Sequence, residues 1–140
     1  MKNWPLSFPA LLQSVARGGH EARLHLVEFV KRRPHLVLPH IGELAGLLDS
    51  TREPVQHAAL ETLAILSHAA PGAMAFLLPR LHAFLANDPQ HALAGHAIEI
   101  LLNYGRTSAE AAKKVIPILG SLKGKHADHA TKAIDELRAA

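Results

Sequence analysis

Two hydrophobic patterns alternate along the chain, four times and in the same order. The first is an apolar–proline–x–apolar step, found at residues 8–11, 38–41, 78–81 and 116–119. The second is a stripe in which an alanine is followed by a large apolar residue four positions later and another seven positions later. Residues with this spacing lie on one face of an α-helix, so each stripe predicts the buried face of a helix.

The stripes recur at a nearly constant interval. Their members are Ala22/Leu26/Phe29, Ala59/Leu63/Leu66, Ala94/Ile98/Leu101 and Ala130/Ile134/Leu137. Nearly equal spacing of the stripe alanines along the chain indicates stacked repeats, each of which is too small to bury its apolar face alone. We therefore predict four units, at about 5–33, 34–69, 70–105 and 106–140. In each, a proline-containing helix (helix A) precedes the stripe helix (helix B), and the proline bends helix A.

Turn and capping residues agree with these boundaries. Asp88-Pro89 combines a capping side chain with a proline suited to the first helical position. Thr107 with Glu110 has the spacing of a capping box that opens the fourth helix A, and Tyr104-Gly105 ends the helix before it. The connections are short, which favours antiparallel helix pairs.

The pattern resembles the HEAT-repeat family of α-solenoids over nearly the whole chain. The proline that this family carries in helix A is matched at Pro9, Pro39, Pro79 and Pro117. Asp49 and Asp88 match the aspartate that is common in the turn between the helices. The Val-Arg pair typical of helix B is replaced by Val55-Gln56 and Gln90-His91, so the Asp–Arg ladder of many members is expected to be absent.

The resemblance implies an all-α fold, an α-α superhelix of about eight helices forming a short right-handed solenoid in a single domain. It also implies a non-enzymatic module that binds another protein on the concave face, which the B helices line. Counted from the stripe alanines, polar residues recur at equivalent positions of these helices. We expect the following to contact the partner: Arg23, Glu28, Glu61, His96, Glu99, Lys132 and Asp135.

Composition excludes several kinds of chemistry. The 140 residues contain no cysteine, so disulfides, thiolate metal sites and cysteine nucleophiles are ruled out. There is no glycine-rich phosphate loop and no nucleophile or zinc-protease motif, and we expect no enzymatic activity and no cofactor. With no signal-peptide pattern and no apolar run long enough to span a bilayer, a soluble cytoplasmic protein is expected.

The eleven histidines are unusually many, yet their spacing does not favour a metal site. Only His126 and His129 are spaced so that both could bind one metal ion from one face of a helix, and zinc requires several converging ligands. Four histidines fall near the starts of the B helices: His20, His57, His91 and His126. We expect these to be solvated side chains along one edge, with a pH-sensitive edge as the alternative.

Two other functions remain open from the sequence. The run Lys31-Arg32-Arg33, with Lys113-Lys114, would suit contacts to a nucleic-acid backbone, although such cations also stabilise the end of a helix. The net charge of +3 and the few aromatic residues make nucleic acid the less favoured partner. The apolar segment Trp4-Pro5-Leu6-Ser7-Phe8 would suit pairing with a second copy of the chain in a homodimer.

Overall fold

A computed structural model of the protein describes residues 10–11, 14–15, 17, 20–50, 52–87, 91–122 and 124–139. These residues form helices joined by short turns, and none of them lies in a β-strand. The all-α prediction is therefore confirmed. Trp4–Phe8, Pro9 and the turn Asp88-Pro89 lie outside the described residues, as do the side chains of His20 and His91.

The chain divides into two compact units, Met1–Ala69 and Ala70–Ala140. The α-helices of the first unit are α1 (His20–Arg32), α2 (Pro34–Val37), α3 (Ile41–Gly46) and α4 (Glu53–Ala69), with 3-10 turns at Leu38–His40 and Leu47–Asp49. Those of the second are α5 (Leu78–Ala86), α6 (His91–Gly105), α7 (Ala109–Gly120) and α8 (Ala127–Ala139), with 3-10 segments at Pro71–Leu77 and Gly124–His126. The stripe helices, called B helices below, are α1, α4, α6 and α8.

The stripe residues form much of the core of each unit. All four stripe alanines are buried, and so are Leu26, Leu63, Leu66, Ile98, Leu101 and Leu137. Phe29 and Ile134 are half-buried. In the first unit α1 packs against α4, and in the second α6 packs against both α7 and α8. The predicted buried face of each B helix is therefore confirmed.

The repeated prolines occupy three different positions. Pro117 lies inside α7, as predicted for helix A. Pro39 lies in the 3-10 turn between α2 and α3, and Pro79 lies in the first turn of α5, after a 3-10 segment. The prediction of a helix that contains the proline is therefore confirmed at Pro117 and Pro79, and it was wrong at Pro39, which lies in a 3-10 turn. Proline has no amide hydrogen to donate to a carbonyl of the preceding turn, and the place of Pro39 and Pro79 in the first turn of an element avoids that loss, because the first amides of a helix have no intrahelical acceptor.

Two other prolines start the helical stretches that hold the repeated ones. Pro34 opens α2, and Pro71 opens the 3-10 segment before α5. The residue before each has nearly the same backbone conformation, φ −138° and ψ 62° at Arg33 and φ −145° and ψ 67° at Ala70. The proline ring disfavours the helical conformation at the preceding residue, and Arg33 and Ala70 have left that conformation, so each separates the helix before it from the one after it.

The N-terminus of α7 is capped one residue later than predicted. The Ser108 hydroxyl accepts a hydrogen bond from the Ala111 amide at 3.0 Å. The Thr107 hydroxyl instead donates to the Tyr104 carbonyl at 2.7 Å, at the end of α6. Thr107 therefore belongs to the turn that ends α6, and the capping box predicted at Thr107 was wrong.

Alpha-helix α6 ends at Gly105, as predicted, and Leu137 of α8 packs directly on that glycine. A β-carbon at position 105 would lie 3.0 Å from both methyl carbons of Leu137. Because this is closer than ordinary van der Waals contact, the glycine allows the two helices their observed separation.

We predict that Leu63→Ala destabilises the protein by about 2–5 kcal/mol, because it opens a cavity at a fully buried position of α4. Leu24→Ala on α1 is the matched control, since Leu24 is 49% exposed. Urea denaturation of both variants measures the difference. Equal stability of the two variants would show that the stripe of α4 does not face the core.

We predict opposite effects of alanine at two glycines. Gly46 has helical dihedral angles, φ −61° and ψ −28°, and a β-carbon there would meet no described atom within 4 Å. Gly46→Ala should therefore raise the free energy of unfolding by about 0.4–1 kcal/mol. Gly105→Ala should lower it, because the new methyl group displaces Leu137. Thermal unfolding tests this, and a stabilised Gly105→Ala variant would contradict the packing of Leu137 on α6.

Candidate functional site

The seven residues expected to bind a partner all lie on B helices, and none is fully buried. Arg23 and Glu28 are on α1, and Glu61 is on α4. In the second unit, His96 and Glu99 are on α6, while Lys132 and Asp135 are on α8. The structure brings two pairs together, Arg23 with Glu61 and His96 with Glu99.

Arg23 and Glu61 connect the two B helices of the first unit. The Arg23 Nη2 atom lies 3.5 Å from the Glu61 Oε1 atom, and their side chains are 28% and 29% exposed. The Nε atom of Arg23 is buried and has no hydrogen-bond partner among the described residues. The guanidinium is therefore partly removed from water, which strengthens its attraction to the carboxylate relative to a fully exposed pair.

Glu28 takes part in a different kind of contact. Its carboxylate lies 3.9 Å from the Nε atom of Arg32, one turn further along α1, and both side chains are well exposed. Exposed pairs of this spacing contribute little to stability because water and salt screen them. Glu28 can therefore exchange Arg32 for a group on a partner at little cost.

In the second unit the expected residues lie on two helices that pack together. The Nδ1 atom of His96 lies 3.9 Å from the Glu99 carboxylate, within one turn of α6. Lys132 and Asp135 are exposed on α8. Between these helices, the ring of His129 faces Gly95, where a β-carbon would lie 3.8 Å from the His129 Cε1 atom. The exposed sides of α6 and α8 are therefore neighbours.

Arg106 is a polar residue of this region that the sequence analysis missed. It follows α6, and its guanidinium donates to the Asn103 side-chain oxygen at 2.9 Å and to the Glu136 carboxylate of α8. Asn103 is largely buried, at 7% exposed. Because Arg106 lies in a turn, the helical stripe gave no signal for it. Its contacts hold the C-terminal end of α6 beside α8.

Two of the four histidines that were expected to be solvated, His57 and His126, have described side chains. His126 is buried, at 2% exposed, so the expectation that it is solvated was wrong. Its place in the turn before α8 puts it against the core, where packing rather than helix position decides exposure. His129 is exposed and His57 half-buried. Within the described ranges, no group of three or more histidine or acidic side chains is arranged to hold a metal ion.

One serine–histidine contact connects the turn after α7 to α5. The Ser121 hydroxyl lies 3.4 Å from the Nε2 atom of His82. The same hydroxyl donates to the Ile118 carbonyl at 2.7 Å, a shorter and therefore stronger hydrogen bond. Its proton is thus directed at the backbone rather than at the imidazole, which is not the geometry of an activated nucleophile.

Comparison of the chain with models of known protein families, with curated proteins and with solved structures finds no match. In the part of the chain that the structure describes, no helix is both long enough and apolar enough to cross a membrane. The described polar residues present hydrogen-bonding and charged groups on the exposed sides of the helices.

We predict that Arg106→Ala lowers the free energy of unfolding by about 1–3 kcal/mol, because it removes a charged donor from the hydrogen bond to the side-chain oxygen of the largely buried Asn103. Arg138→Ala removes an exposed arginine from α8 and should change stability by less than about 0.5 kcal/mol. Guanidinium denaturation distinguishes them. If both variants were equally stable, Arg106 would not hold α6 to α8.

Proposed function

We propose that the protein is a non-enzymatic interaction or scaffold module that binds another protein on the polar face of its B helices. One observation carries this proposal. In the first unit the Arg23–Glu61 contact joins polar side chains of two neighbouring B helices, and in the second unit Arg106, in the turn after α6, contacts Glu136 of the B helix α8. The opposite sides of the same helices are buried, so these polar faces are held in fixed positions.

The distribution of charge favours recognition over catalysis. Acidic and basic side chains both occur on the parts of the B helices that are not buried, among them Glu99 and Lys132 in the second unit. A surface of mixed sign selects a partner of complementary pattern, and it adds specificity more than affinity. Helices held by buried stripes also lose little conformational entropy when they bind.

A HEAT-like, right-handed solenoid is part of the proposal. Its support is the nearly constant spacing of the stripes, together with the equivalent helix starts at Pro34 and Pro71. In such an array each repeat contacts only its neighbours, and the B helices line an extended concave surface. The partner would then lie along that surface and contact several repeats.

We predict that Glu99→Lys weakens binding of the partner at least about tenfold without unfolding the protein, because it reverses a charge on the proposed face. The partner is first identified by affinity capture from the source lysate, with nuclease present, at low and moderate salt. Dissociation constants are then measured with the purified partner by calorimetry.

Glu110→Lys is the matched control, since Glu110 is an exposed glutamate on α7, outside the B helices. We expect it to leave the affinity within about twofold. Equal affinity of the Glu99→Lys variant and the unchanged protein would contradict the proposed face. If the captured material were nucleic acid, lost at moderate salt, the backbone-binding alternative would replace this proposal.

A further inference from the structure

The corner between α1 and α2 combines positive charge with an exposed apolar side chain. The 31–36 corner consists of Lys31, Arg32, Arg33, Pro34, His35 and Leu36. Every member except the half-buried Pro34 is exposed. Leu36 is 43% exposed, and it is one of three large hydrophobic side chains that are exposed among the described residues.

The backbone of this corner is fixed on both sides. The Arg33 amide donates to the Phe29 carbonyl at 2.9 Å, and the Arg33 carbonyl accepts from the Leu36 amide at 3.1 Å. Pro34 has a ring-restricted φ, and Val37 next to Leu36 is fully buried. The side chains of the corner therefore project from a turn that is already ordered before any partner binds, which lowers the entropic cost of binding.

The positive charge of the corner is poorly neutralised within the protein. Arg32 has Glu28 at 3.9 Å, but both side chains are well exposed and the pair is weak. Lys31 and Arg33 form no ion pair with a described carboxylate within 4.0 Å. The helix dipole favours cations in the last turn of α1, which explains Lys31 and Arg32. It does not explain Arg33 and His35, which lie beyond that helix, or the exposure of Leu36.

We propose that the 31–36 corner binds an acidic, amphipathic segment of a partner protein. Carboxylates of that segment would pair with Lys31 and Arg33, and an apolar side chain between them would cover Leu36. The six residues span at most about 19 Å, so three or four turns of a helical segment, or fewer residues of an extended one, would reach all of them. The inference rests on the proposed binding function, but it concerns residues of the first unit, whereas Glu99 belongs to the second.

The apolar component distinguishes this partner from other anions. A nucleic-acid backbone uses cations and gains additional affinity from aromatic side chains on which bases stack. The apolar side chain of the corner is a leucine, which has no ring for stacking, and the one aromatic ring of the corner, the imidazole of His35, gives a single platform where successive bases would need several. An anionic membrane surface is bound by an amphipathic helix with a wide apolar face, whereas α2 has four residues and one exposed leucine. An acidic segment with spaced apolar residues is complementary to both features.

The test uses a fluorescein-labelled 12-residue peptide of four leucines and eight glutamates, titrated with the full chain and followed by fluorescence anisotropy. We expect saturable binding that weakens as salt is raised. Lys31→Glu/Arg33→Glu should weaken it at least about tenfold through charge repulsion. Leu36→Ser should weaken it about three- to tenfold through loss of the apolar contact.

Two variants serve as matched controls. Lys113→Glu/Lys114→Glu makes the same change of charge on α7, and Leu24→Ser removes the exposed leucine of α1. Both should bind the peptide within about twofold of the unchanged protein. Circular dichroism shows whether each variant keeps its helices. If the α7 double variant lost as much affinity as the corner double variant, binding would reflect net charge alone and the proposal would be wrong.

The remaining outcomes separate the other anions and the other surface. A 12-nucleotide single strand or vesicles of phosphatidylserine that bound more tightly than the peptide, with Leu36→Ser unaffected, would overturn the proposal. The proposal would also be overturned if the Lys31→Glu/Arg33→Glu variant bound the peptide as tightly as the unchanged protein. Glu99→Lys should leave peptide binding unchanged, so failure of the corner and failure of the B-helix face are detected by different variants and different ligands.

Discussion

The rest of the structure depends on the burial of one face of each B helix, on which an alanine is followed by larger apolar residues. Ala22, Ala59, Ala94 and Ala130 begin these faces, and all are buried. A small side chain at this position lets the neighbouring helix approach, and the larger apolar residues one and two turns later remove apolar area from water. Since a helix has two sides, fixing the buried one also fixes which residues face outward. The polar faces discussed above are thus a consequence of the core.

The polar residues divide into those that stabilise the fold and those that are available to a partner. Arg106 contacts both Asn103 and Glu136, and Asn103 is largely buried, so these groups hold α6 to α8. Glu28 and Arg32 form an exposed contact within one helix, which contributes little to stability. A contact of that kind can be exchanged for one with a partner. The 31–36 corner goes further, because part of its charge is left without an internal counterion among the described side chains.

Local departures from the predicted pattern come from competition between neighbouring residues for the same backbone groups. Thr107 and Ser108 are both capping residues, and the chain alone does not say which hydroxyl caps α7. In the structure Thr107 bonds to the end of α6 and leaves the cap to Ser108. The repeated prolines differ instead in their place along a helical element. Pro117 fits within an α-helix, whereas at Pro39 and Pro79 the chain changes to 3-10 geometry nearby.

The sequence by itself determined the helices and their buried faces, because helical periodicity involves residues within two turns of one another. Even the resemblance to a solenoid rests on such local patterns, repeated. The tertiary structure alone decided which distant residues meet. Arg23 reaches Glu61 and Arg106 reaches Glu136 across 38 and 30 positions, and no local pattern specifies those partners. His126 shows the same limit. It belongs to the same set of repeated histidines as His57, yet it is buried, because exposure depends on what packs around a turn.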